Sequence, residues 1–183
     1  NLAATNTAAA NTLRFTYNQT GNMSFSFWFY VTKLPASGQT TCIFCQSSPN
    51  YFNFYIDGST SKLYTSFGSN SWSQIIAANT WYHFAFSWNT SSPINYYING
   101  TYFGSTSSAI AASGTKDYLI GDNLNPGYYN PFAGYIADFR VYGRALSVSE
   151  IATLAGNTSG PTGSVFPSLP TTNLVANYRF DGN

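Results

Sequence analysis

An all-β sandwich is the fold class this chain predicts, and three observations carry it. Apolar residues recur at every second position over most of the chain. Stretches rich in Gly, Pro, Asn and Ser interrupt those runs at intervals typical of a sandwich. Only one short segment has the start and stop signals of a helix.

Taken in order, residues 13–17 read as a first strand. In "MSFSFWFYV", Met23, Phe25, Phe27, Phe29 and Val31 fall on one face. Ser24 and Ser26, then Trp28 and Tyr30, fall on the other, so that strand has a core face and a half-aromatic second face. Shorter alternating runs follow at 43–46, 51–56 and 63–67. "WYHFAFSW" repeats the design, with Tyr82, Phe84, Phe86 and Trp88 on one side and Trp81, His83, Ala85 and Ser87 on the other. "NYYINGTYFG" predicts a hairpin, because Asn99-Gly100 supplies two residues that tolerate the positive φ of a type I′ turn. Runs at 118–120 and 135–142 complete the strands before the helical signal. In "ALSVSEIATLAG" Ser147 and Glu150 form a capping box and Gly156 suits C′, which predicts one short helix near 148–155. Residues 157–172 are rich in Pro, Gly, Ser and Thr and read as a connector without a core of its own. The last segment, "NLVANYRFDGN" at 173–183, alternates like a strand and ends in a turn.

Composition narrows the function. At 183 residues the expectation is one domain. Charged residues are 7% of the chain and aromatics 19%, against roughly 25% charge in ordinary soluble domains. The net charge of +1 gives no reason to expect nucleic acid or an anionic membrane. No apolar run approaches the ~20 residues of a membrane span, and the N-terminal residues lack the pattern of a signal peptide; if the protein is exported, this is a mature or trimmed form. Sequons at Asn18, Asn22, Asn89, Asn99 and Asn157 add to an extracellular or cell-surface expectation.

The order of elements resembles the laminin-G-like domains of the concanavalin A-like lectin/glucanase superfamily. The resemblance rests on "FSFWFYV", "WYHFAFSW", "YYINGTYFG" and, most specifically, "FAGYIADFRVYGRALSVSEI". In that last stretch Phe132, Gly134, Ile136, Asp138, Arg140, Tyr142, Ala145, Leu146, Glu150 and Ile151 stand at the family's positions. Ala137 departs from an acidic pair often found there, which weakens any metal or polar role carried over to that spot. The resemblance implies a two-sheet antiparallel jelly roll over residues 1–156. It also implies that the terminal strand is permuted: family members open with a strand resembling "LVANYRFDGN", which here comes last. Circular permutation, a window cut from a tandem repeat and donation to a neighbouring subunit all produce that order. The expectation is that the strand completes a sheet whose remaining strands begin at Leu13, in its own or a neighbouring copy, through Leu174, Val175, Tyr178 and Phe180. A connector at ~3.3 to 3.6 Å per residue is long enough for either.

Catalysis is not expected. Glycoside hydrolysis needs two carboxyl groups roughly 5 to 9.5 Å apart. Glu150, the one Glu, belongs to the capping box, and Asp57, Asp117, Asp122, Asp138 and Asp181 never occur as i, i+2 or i, i+4 pairs. His83 lies in a hydrophobic strand, where a packed or hydrogen-bonded imidazole is expected instead of a catalyst. Cys42 and Cys45 form a C-x-x-C. In an extended strand their Cα atoms would sit ~10 Å apart, beyond bridging distance. Either the segment turns and they pair, or both are buried thiols; a secreted setting favours pairing.

One loop, "GDNLNPGYYNP", offers a ligand site. Asp122, Asn123 and Asn125 present hard oxygens suited to Ca²⁺, and Tyr128 and Tyr129 present faces on which a sugar could stack. Any tight loop uses such residues, so the signal is unspecific. The resulting expectation is a non-enzymatic extracellular module that assembles with copies of itself or neighbouring repeats into a filament or array, requiring no cofactor. The alternative is a glycan-binding lectin-type module assisted by Ca²⁺. Neither involves nucleic acid or membrane insertion.

Overall fold

The computed structural model describes residues 4–6, 13–19, 21–46, 53–65, 71–90, 93–106, 114–121, 130–156 and 172–178. The fold class is all-β of the jelly-roll sandwich type, with two antiparallel sheets and one short helix among the described residues.

The seven-stranded sheet contains β1 (Ala4–Asn6), β2 (Leu13–Gln19), β4 (Thr40–Gln46), β5 (Asn53–Asp57), β6 (Lys62–Thr65), β7 (Ser71–Ile75) and β11 (Gly114–Ile120), in the order β1-β2-β11-β4-β5-β6-β7. One face carries a continuous aromatic stack, with Tyr118 5.1 Å from Phe15 and 5.5 Å from Phe44, ring centroid to centroid. On the other face Asp117 is held between Arg14 and the Thr16 hydroxyl. Strands β1 and β7 escape the sequence reading because neither has an apolar alternation; pairing with β2 and β6 holds them.

Where the C-x-x-C stood as two alternatives, β4 has a bulge. Pairing with β5 runs Cys42↔Tyr55 and then Phe44↔Phe54, so one residue is extra. The bulge brings the two cysteine Cα atoms to 6.4 Å and they form a disulfide. An unbroken strand would have kept them apart.

The six-stranded sheet contains β3 (Met23–Val31), β8 (Trp81–Trp88), β9 (Ile94–Ile98), β10 (Thr101–Thr106), β12 (Gly134–Tyr142) and β13 (Leu174–Tyr178), in the order β10-β9-β8-β3-β12-β13. Alternation in β3 and β8 places Phe25 opposite Phe86 and Phe27 opposite Phe84. Phe139 of β12 joins them at 5.8 Å from each of Phe25 and Phe27, which makes this the sheet's aromatic core face. The Asn99-Gly100 hairpin between β9 and β10 has φ of 49° and 76°, the doubly positive pair of a type I′ turn. Glycine is required at 100 for a second reason: a Cβ there would meet Ala155 Cβ at 3.0 Å and Ala152 Cα at 3.1 Å.

Ala152 lies in α1 (Val148–Leu154) and Ala155 is its C-cap; the helix has the capping box expected at Ser147 and Glu150. The helix ends at Ala155 with φ −86°, and the Gly156 N–H returns to the Thr153 carbonyl; Gly156 needs no left-handed backbone.

The terminal strand departs from expectation in its sheet. It pairs with β12, from Phe139↔Tyr178 to Tyr142↔Leu174, and not in the sheet that contains Leu13. The reason is that β2 already has β1 and β11 on its two edges, whereas β12 has β3 on one side only. Within the chain, Arg144 Nε donates to the Thr172 carbonyl at 3.0 Å and the Gly143 N–H donates to the Asn173 carbonyl at 3.0 Å, which fixes the entry to β13.

Candidate functional site

The second face of the six-stranded sheet changes character along its strands. At one end it is covered. The Ser24 hydroxyl donates to the Arg144 carbonyl and accepts from the Leu146 N–H, each at 2.9 Å, while the Ser87 hydroxyl donates to the Leu146 carbonyl at 2.8 Å. Leu146, Ile151 and Leu154 then pack over Ala85, Tyr97 and Tyr142, with Leu174 of β13 against them. Arg144 braces this cover by donating to both carboxylate oxygens of Glu150, and these bonds, with further help from Ser147, hold that carboxyl down to about 2.

In the middle the face is buried and polar. Register places Trp28 opposite His83, and Ser26 opposite Ala85. The Ser26 hydroxyl and His83 Nε2 share a hydrogen bond of 2.8 Å, and the Trp28 and imidazole ring centroids are 5.2 Å apart in an edge-on arrangement. His83 Nδ1 has no partner among the described residues. Burial, and secondarily the charge of Arg140, push its pKa down to about 3, so the ring is neutral at ordinary pH. Asp138 and Arg140 are buried and paired at 2.8 Å. Asp138 has φ of 49°, a left-handed backbone that Asp tolerates better than most residues. This irregularity changes the alternation: Tyr135 packs on Tyr30, while beyond Asp138 the odd position Phe139 faces the aromatic core.

The other end is open. Tyr30 of β3, Trp81 of β8 and Tyr135 of β12 form a row across three adjacent strands, Tyr30 being 5.3 Å from Trp81 and 5.8 Å from Tyr135. Tyr135 is 63% exposed, and Tyr30 and Trp81 are half-buried. Aromatic faces presented to water beside indole and phenol hydrogen-bonding groups suit a ligand with both C–H faces and hydroxyls. We take this row as the candidate site.

None of its members stood among the sequence-predicted ligand residues. The alternation in "MSFSFWFYV" and "WYHFAFSW" put Tyr30 and Trp81 on second faces, and aligning those strands antiparallel would have paired them. Tyr135 depends on the irregularity at Asp138, which leaves no local signal. The predicted loop residues Asp122, Asn123, Asn125, Tyr128 and Tyr129 lie outside the described residues, as do Phe180 and Asn157. Asn18, Asn22, Asn89 and Asn99 are all exposed. The Asn22 side-chain oxygen accepts from the Thr90 N–H at 3.0 Å, and that of Asn99 from the His83 N–H at 2.8 Å. Leu174 is half-buried and Val175 is 41% exposed at the sheet edge, where Tyr178 also sits. Among the described residues no three His, Cys, Asp or Glu side chains gather as a metal cluster, and no helix is long and apolar enough to cross a membrane.

The sequence profile of the concanavalin A-like lectin/glucanases superfamily, laminin G type, matches residues 3–152. No curated protein matches the chain in sequence. Several solved structures share the fold. A protein assigned to carbohydrate binding from Bacteroides ovatus is 15% identical with a TM-score of 0.66, over 99% of this chain and 49% of that one. Domain 4 of AbnA, an extracellular arabinanase from Geobacillus stearothermophilus solved with arabinotriose, is 22% identical with a TM-score of 0.57, over 85% and 81%. A heptameric pentraxin from Limulus polyphemus is 18% identical with a TM-score of 0.55, over 84% and 79%.

Proposed function

The chain belongs to the concanavalin A-like lectin/glucanases superfamily, and from that premise we propose that it is a non-catalytic, extracellular carbohydrate-binding module. The observation that carries this reading is the open row of Tyr30, Trp81 and Tyr135. Support comes from neighbours in the fold: one is assigned to carbohydrate binding, and a second was solved with arabinotriose. The carboxylates among the described residues speak against hydrolysis. Glu150 is committed to Arg144 and the helix cap, Asp117 to Arg14 and Thr16, Asp138 to Arg140, and Asp57 to the Thr60 N–H and hydroxyl. A glycan array with the whole chain tests the proposal: hits lost in Trp81→Ala support it, and an array without hits overturns it. Hard oxygens at Asp122, Asn123 and Asn125 suit Ca²⁺, so assistance by that ion is part of the lectin reading. Binding unchanged in chelator would remove that part alone.

A second reading, assembly by strand exchange, is favoured by the position of β13. The strand pairs on one side with β12, is the outermost of the sheet as described, and follows the connector at 157–172. The same pairing made to the β12 of another copy would be head-to-tail and would give a filament unless its rotation closes. Deleting residues 173–183 should then yield an aggregating chain that the peptide "NLVANYRFDGN" rescues. A truncated chain that stays monomeric with unchanged Tm would reject exchange.

A further inference from the structure

We infer that the Tyr30, Trp81 and Tyr135 row takes a single uncharged polysaccharide chain, lying across the strands, in preference to an acidic terminal sugar or a flat crystalline face. This rests on the carbohydrate-binding reading and adds the ligand class.

Three features of the row argue for it. Its members sit on adjacent strands β8, β3 and β12, so it extends over two strand spacings, about 10 Å. That is room for consecutive sugars of a chain instead of one terminal unit. Its rings are not coplanar: Tyr30 is inclined 53° to Trp81 and 40° to Tyr135. Rings so inclined offer no single flat platform, so a crystalline face would meet only one of them flat, whereas the separate sugar rings of a free chain can each meet one.

Charge supplies the third feature. An acidic sugar is ordinarily held by an unpaired cation, best by the fork of an arginine. Among the described residues, the strands of this sheet carry one Lys or Arg, Arg140, which is buried and paired with Asp138, and Arg144 beside the helix is paired with Glu150. Recognition here therefore falls to ring stacking, with the Trp81 N–H and the tyrosine hydroxyls meeting sugar hydroxyls.

Calorimetry on the whole chain tests the inference, using neutral β-linked gluco- and xylo-oligosaccharides of two to six units, sialyllactose and microcrystalline cellulose. The expected result is affinity that rises about tenfold from two units to four and holds between about 0.05 and 0.5 M salt. Tyr135→Ala, an exposed site that leaves folding intact, should remove the gain with chain length. Salt-sensitive binding of sialyllactose alone would overturn the neutral-chain inference and leave the carbohydrate-binding reading standing. Retention on cellulose without binding of soluble chains would do the same. Neutral-chain binding indifferent to both Tyr135→Ala and Trp81→Ala would overturn the assignment to this row. Binding to none of these probes, with hits elsewhere on a glycan array, would overturn the ligand class, and an empty array would overturn both readings.

Discussion

Acid should destabilise this fold through His83. The imidazole is 1% exposed, and its pKa is pushed from 6.5 down to about 3, first by burial and then by Arg140. In the folded protein it stays neutral on moderate acidification, while the same side chain in the unfolded protein takes up a proton below about pH 6.5. Because the folded value is the lower one, the stabilisation is complete above the unfolded pKa and is lost as pH falls towards the folded one. At about 1.36 kcal/mol per unit, moving from about pH 7 to about pH 4 removes roughly 3 kcal/mol. For a chain of this length that corresponds to a fall of about 6 to 12 °C in Tm. Glu150 and Asp117, whose carboxyls are also held low, weaken in acid too, so the comparison must be with a variant that keeps both. His83→Gln retains a polar partner for Ser26 without a titrating ring. Urea denaturation of both proteins at the two pH values should show the wild type losing about 3 kcal/mol more than the variant. Equal losses would refute the reasoning, since they would mean that the histidine meets solvent in the folded state.

The ion pair below the aromatic row gives a second prediction. Arg140→Met leaves Asp138 charged and buried, and should cost about 3 to 5 kcal/mol in chemical denaturation. Replacing both cysteines by alanine opens a very short loop, for which chain entropy gives a loss of about 2 kcal/mol, measurable as a lower urea midpoint. Ser147→Ala removes the hydroxyl that accepts from the Glu150 N–H at 3.3 Å, and thermal denaturation should register a loss of about 1 kcal/mol.

Strands β3 and β8 were legible in the sequence because their alternation is unbroken, and the helix because its capping box lies within four residues. The hairpin at Asn99-Gly100 was legible because only a few residue types accept two successive positive φ values. What escaped depends on distant pairing. The pairing of Cys42 with Cys45 was the favoured alternative in the sequence, but the bulge opposite β5 that permits it is announced by no spacing within "TTCIFCQ". The sheet that receives "LVANY" was decided by which strand had a free edge, a property of the whole topology. The aromatic row lay half in view: Tyr30 and Trp81 belong to two strands correctly read, but Tyr135 reaches them only because Asp138 interrupts the alternation of β12.

The central claim, that sugars stack on this row, is tested most directly by following tryptophan side-chain N–H resonances while a neutral oligosaccharide is added to the whole chain. The Trp81 signal is identified by its absence from the spectrum of Trp81→Ala. Trp81 lies in the open row, whereas Trp28 and Trp88 are each 2% exposed. The account predicts that the Trp81 resonance shifts progressively to saturation while those of Trp28 and Trp88 stay in place. A Trp81 resonance that does not move under a ligand shown to bind would contradict it.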